Sequence, residues 1–338
     1  MTSTRSAMAQ LKTANPVITT RSPAATRSPA PRHRSRVGLL VAATAGASAV
    51  ALVVVAVGLP QGAATPAAAD ALDRAATAAD ITALDQQAGP EQFWRITTAG
   101  IQLALGPGNA APADGESSSV WLTRGARVAY VAVDGSRPSW YVDSPTEVAE
   151  VLFGEPPADA RGGPGQTWTT DLVPNDTAGS WQEPTQAWLA GLPRDPDQLR
   201  DQLYNDTRGR GRSHDGEVLV TIADALRSGV VPADLRAALF RVLETVPGVD
   251  IVQRHPDGQI SIGRLETRDG QREEIIIDPT TGAYVGERTI QVQELGSIPA
   301  GTVIEDVDVT TTLVDQIPQQ IRDHAELWTC TPDGMCGQ

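Results

Sequence analysis

Two stretches of strand-forming sequence enclose a block of helix-forming segments, and that order confines the chain to an α+β fold. Strand signals open the first stretch in Gln92–Leu105 (QFWRITTAGIQLAL) and Ser119–Val133 (SVWLTRGARVAYVAV), and Trp140-Tyr141-Val142 begins a third run. A helix is expected over Asp70–Ala88, with Leu72, Ala75, Ala76, Ala79 and Ala83 on one face and Gly89-Pro90 as its stop. The central block starts at Asp195-Pro196-Asp197-Gln198, an N-cap Asp with Pro in the first turn, ahead of Leu199 and Leu203. Leu219, Ile222, Ala223 and Leu226 form a second helical stripe ended by Gly229. Leu235, Leu239, Val242, Leu243 and Val246 form a third, between Pro232 and Pro247-Gly248.

The last third returns to strands. Val249–Arg254 and Gln259–Leu265 flank a Pro256-Asp257-Gly258 turn, and Glu273–Ile277 and Ala283–Val292 flank Asp278–Gly282. Gly301–Leu313 is one further strand, rich in Val and Thr. The expected domain is a curved antiparallel sheet packed on helices. Residues 154–184, with GEPPADARGGPG, are the least structured stretch by composition.

Val37–Leu59 is a run of 23 residues without a charge, preceded by Arg32, Arg34 and Arg36. A hydrocarbon core about 30 Å thick takes roughly 20 helical residues, so the run predicts a transmembrane helix. The positive-inside rule then places a basic tail, residues 1–36, in the cytoplasm and the carboxyl domain outside the cell membrane. The expected organisation is tail 1–36, single-pass helix 37–59, stalk 60–69 and an acidic domain 70–338, with the lipid bilayer as partner of 37–59. The competing reading is a signal peptide cleaved among the small residues near 63–70.

Charge separates the same two parts. Seven of the 27 basic residues and none of the 41 acidic ones lie in 1–36, leaving 20 against 41 beyond it, a net of −21. A domain so acidic will not track a phosphate backbone, so no nucleic-acid partner is expected.

The run VLVTIADALRSGVVPADLRAALFRVLETVPGVDIV, then EEIIIDPTTGAYVGERTI, with FWRITT and WYVD upstream, resembles an actinobacterial family of single-pass membrane-anchored ectodomains. That family has no assigned function and is often encoded beside an extracytoplasmic-function sigma factor. The resemblance covers the chain from residue 37 to about residue 295 and implies cell-envelope signalling with a partner from a sigma-factor system. Its motifs describe helix faces and a turn, so it carries over no functional residue. Residues 1–36 depart from a full anti-sigma factor, since they lack the apolar periodicity of a helical sigma-binding domain. More loosely, a strand-rich sheet cupping helices looks like the fold of periplasmic lipoprotein carriers.

Chemistry is sparse. Cys330 and Cys336, in CTPDGMC, are the only cysteines, and their spacing reads as a disulfide rather than a zinc or C-x-x-C site. His33, His214, His255 and His324 are scattered, no G-x-S-x-G occurs, and Glu305–Asp308 lacks the Gly-turned loop of a calcium site. No catalytic, cofactor or metal residue is therefore assigned, and a non-enzymatic sensing or binding domain is expected. The alternative is a carrier that holds a lipid or other amphiphile. Seven tryptophans against three phenylalanines leave two readings open, core packing or a ligand cleft. The candidate apolar cleft for a hydrophobic ligand comprises Trp94, Trp121, Leu219, Leu226, Leu239 and Val246.

Overall fold

The computed structural model describes residues 62–82, 88–106, 119–161, 165–330 and 336–337. Helix α1 (Pro66–Thr82) precedes strands β1 (Phe93–Gly106), β2 (Ser119–Ala132), β3 (Trp140–Asp143), β4 (Glu147–Phe153) and β5 (Gln166–Thr170). Helices α2 (Gln186–Gly191), α3 (Pro196–Asp206), α4 (His214–Arg227) and α5 (Ala233–Leu243) follow. Strands β6 (Asp250–Arg254), β7 (Ile260–Glu266), β8 (Gln271–Asp278), β9 (Ala283–Gln291) and β10 (Thr302–Val314) come next. Helix α6 (Gln319–His324) and strands β11 (Glu326–Cys330) and β12 (Cys336–Gly337) end the chain.

All the strands join one open sheet in the order β12-β11-β5-β3-β2-β1-β10-β9-β8-β7-β6, with β4 beside β2. The join between its halves is β1 with β10, running from Phe93 opposite Val314 to Gln102 opposite Glu305. Each described pairing is antiparallel except β11 with β5, where Glu326 lies beside Trp168. Strand β5 falls inside the stretch 154–184 expected to be least structured, because QTWTT contributes only five residues among Gly and Pro.

Helices α1 to α5 lie on one face, here the inner face, whereas α6 packs through Ile321 against Phe93 and Tyr130 on the other. Helix α4 crosses β7, β8 and β9, and α1 packs on α5 and β6. Leu219, Ile222, Leu235, Leu239 and Phe240 from α4 and α5 meet Ile262, Ile275 and Ile277 from the sheet in one large apolar core. Each such buried side chain contributes about 2 kcal/mol from burial alone. Around Val307 two glycines on the neighbouring strands bring backbones close together. A Cβ on Gly100 would meet the Asp306 carbonyl oxygen and lie 2.8 Å from Val307 Cα. One on Gly286 would meet the Val307 carbonyl oxygen. Backbones approach this closely only where no side chain intervenes.

Helix α1 starts at Pro66, within the stretch 60–69 expected to be a stalk. The Ala64 N–H donates to the Glu244 carbonyl at 2.9 Å, and Ala68 and Ala71 are fully buried. Alanine permits this close seating at no side-chain entropy cost.

Among the described residues no helix is long and apolar enough to cross a membrane. The longest, α1, has 17 residues and buries a single stripe against α5. Val37–Leu59 and the tail 1–36 lie outside the described residues. The single-pass reading is corrected accordingly, and with it the bilayer partner, the cell-membrane topology and the membrane-anchored ectodomain. The structure is an α+β domain with an open sheet and a helical layer. Cys330 and Cys336 lie opposite each other across β11 and β12, and no free cysteine occurs among the described residues. The side chain of Cys336 lies outside them.

Candidate functional site

Side chains opposite one another in register share a face of a sheet. Ile96, in the main core, lies opposite Ala129, which lies opposite Tyr141, which lies opposite Trp168. The inner face therefore continues from the core across β1, β2, β3 and β5. Two residues along the same strands, Arg127 and Asp143 also form a pair on that face. On β11, Trp328 shares the parity of Glu326, beside Trp168.

The elements packed on this row change along it. The chain just beyond α4 reaches the sheet at Gly229, against Ile96 and Thr311. Trp181 before α2, Leu189 within it and Leu192 just after it belong to the same core cluster as Trp94 and Ile96. Tyr141, Trp168 and Trp328 belong to none of the three apolar clusters. They form their own group instead: Tyr141 stacks on Trp168 at 4.1 Å between centroids, and Trp168 meets Trp328 at 5.3 Å.

Arg127 organises the group. Its guanidinium lies 5.6 Å from the centroids of both Tyr141 and Trp168 and makes a two-pronged ion pair with Asp143, at 2.6 and 3.1 Å. The Trp168 indole N–H donates to the same carboxylate at 2.8 Å. The Arg127 side chain keeps 37% of its surface exposed, and its Nη1 group is not used by Asp143. Burial pushes the Tyr141 phenol above its ordinary range. Trp328 is 3% exposed, yet its indole N–H has no hydrogen-bond partner. A buried donor left unpaired costs about 1–3 kcal/mol, which an acceptor would relieve.

A second polar group lies under α4. Arg227 pairs with Asp224 at 2.5 Å on its own helix, with Glu287 on β9, and with Glu305 on β10 at 3.7 Å. Glu273 on β8 takes Arg212 at 3.1 Å and the Thr289 hydroxyl at 2.6 Å. Burial, reinforced by neighbouring Glu287, pushes the Glu305 carboxyl up to about 7. Burial, partly offset by Arg227, pushes Asp224 up to about 6. Glu273 is raised too, chiefly by burial. These four carboxylates face two guanidinium groups, and one of those, Arg212, is shared with Asp269.

The sequence-derived cleft residues divide. Leu219, Leu226, Leu239, Val246 and Trp94 come together, all but fully buried, in the main core. Trp121 shares their face but lies opposite Ala104, ten residues along the ladder from the Trp94–Val131 pair. At about 3.3 Å per residue that is roughly 33 Å of strand. Arg127, Tyr141 and Asp143 were not singled out from the sequence. The alternation in WYVD places Tyr141 and Asp143 on one face, but only the pairing of β3 with β5 brings Trp168 beside them. Among the described residues no group of His, Cys, Asp and Glu is arranged to hold a metal ion.

No protein-family model matches this chain, and no curated protein matches it. With no single-pass helix among the described residues, the membrane-anchored family and its sigma-factor-system partner are withdrawn.

Proposed function

We propose that this chain is a binding domain that carries a small amphiphile against the aromatic group on its inner face. The observation behind this reading is the group of three large rings on that face, outside every apolar cluster, flanked by a partly exposed guanidinium. Rings of this kind suit the apolar body of a ligand. The remaining Arg127 N–H groups and the unpaired Trp328 N–H suit its polar end. The helix-covered interior is filled by its own leucines and isoleucines, so a ligand belongs beside the rings rather than between sheet and helices. The reading assigns the domain holding and release, with no bond made or broken.

Titration of the full chain with anilinonaphthalene sulfonate tests this. The folded protein should bind one dye with a change in tryptophan emission. Trp168→Ala should weaken binding about tenfold or more, equivalent to about 1.4 kcal/mol. Leu327→Ala, at a side chain 62% exposed, should leave it unchanged. Dye that stays dark until the protein unfolds, or a folded Trp168→Ala variant binding like the parent, would contradict the assignment.

A further inference from the structure

We propose that α4, with the turn at residues 180–183, is a pH-sensitive clasp on the inner face, seated under acidic conditions and loosened under alkaline ones. The effect on ligand retention rests on the binding site proposed above; the clasp itself does not. Arg227 is the tie. It reaches from the last turn of α4 to Glu287 on β9 and Glu305 on β10 while also holding Asp224 on its own helix. Tyr284 on β9 donates its hydroxyl to Glu287 at 3.0 Å. Glu273 adjoins from β8, linked towards Glu305 through the Thr289 hydroxyl at 2.6 and 3.4 Å. Glu217, one α4 segment earlier, adds negative charge facing Asp224.

The turn belongs to the same assembly. The Gln182 amide donates to Asp224 at 3.2 Å, and the next residue, Glu183, lies close enough to act on the Tyr141 phenol. One network thus joins α4, the sheet beneath it and the turn beside the aromatic group. Among the described residues Asp224, Glu273, Glu287 and Glu305 are paired with only two guanidinium groups, Arg227 and Arg212, so retained protons bring the charges closer to balance.

The direction follows. Glu305 and Asp224 titrate near 7 and near 6 in the fold, against about 4 for free carboxylates. The folded state therefore holds extra protons between about pH 4 and about pH 7. Their stabilisation is complete below the lower limit and is lost as pH rises through the folded values. Deprotonation then sets Asp224 on the helix against Glu287 and Glu305 on the sheet, with Arg227 alone between them.

Hydrogen exchange of the full chain at about pH 5.5 and about pH 8, corrected for intrinsic rates, reads the clasp without a ligand. Protection over 214–227 should fall about tenfold, the factor carried by one pKa unit, while the β7–β8 hairpin changes far less. Glu305→Gln should flatten the difference. Anilinonaphthalene sulfonate should dissociate about tenfold faster at the higher pH from the parent, and at nearly equal rates from Glu305→Gln. Exchange in α4 that follows the hairpin, or a Glu305→Gln variant with undiminished pH dependence, would overturn the clasp. Dye release independent of pH would overturn its control of the site. Failure of the dye to bind at either pH would remove the binding assignment, while the exchange result still decides the clasp.

Discussion

Gly100→Ala should destabilise the domain by about 3 kcal/mol or more, at the upper end of the range for overpacking. The new methyl would collide with the Asp306 carbonyl oxygen and lie 2.8 Å from Val307 Cα and 3.0 Å from the Asp306 carbonyl carbon. Those are backbone atoms at the pairing of β1 with β10, the seam between the two halves of the sheet. They cannot turn aside as a side chain can, so relief requires the seam to open. Gly125, directly opposite on β2, supplies the control. There a Cβ would lie 3.5 Å from Thr146 Oγ1, an ordinary contact. Gly125→Ala should be neutral or stabilising by up to about 1 kcal/mol, since alanine loses less backbone freedom on folding. Denaturant midpoints at a common slope decide the matter. Equal midpoints for the two variants would show that the seam tolerates a side chain at residue 100.

Arg227→Met should cost about 3 kcal/mol near pH 8, because a buried ion cluster loses its central cation. Glu287 and Asp224 keep only 8% and 6% of their side-chain surface exposed, so water cannot replace the guanidinium. The penalty should shrink by at least about 1 kcal/mol near pH 5. Glu305 and Asp224 already titrate near 7 and 6 with Arg227 present, and its removal raises both further. The variant then takes up protons across the same window in which the parent does, and takes up more of them, so its stability climbs more steeply on acidification. Denaturant unfolding at the two pH values measures this. An equal penalty at both would mean that the carboxylates do not share protons with the fold as described.

Local elements were legible where punctuation and periodicity agreed. The stripe through Leu219, Ile222 and Leu226 and its stop at Gly229 correspond to α4, which ends at Arg227. Asp195 caps α3 by accepting from the Gln198 N–H at 3.0 Å, as the Asp-Pro start implied. The hairpins of the last third follow their Gly-containing turns. What escaped the sequence was neighbourhood. Phe93 pairs with Val314 across most of the chain, and β11 adds in parallel beside β5, and neither follows from local pattern. Alternation gives the face of a tryptophan but not its rung on the ladder. Trp94 and Trp121 therefore looked equivalent although one lies in the core and the other far along the strand. Tyr141, Trp168 and Trp328 looked unrelated although they meet.

Those rings also offer the most direct test of the binding assignment. Each of the seven tryptophans contributes one indole N–H signal to a nitrogen–proton correlation spectrum of the labelled full chain. On titration with anilinonaphthalene sulfonate, the signals of Trp168 and Trp328 should move. Trp328, which has no acceptor in the free protein, should move downfield as it gains one. The signal of Trp94, 6% exposed in the main core, should stay in place. Movement of Trp94 together with the Leu219 and Leu239 methyls, with Trp168 and Trp328 unchanged, would place the ligand between sheet and helices and contradict the account.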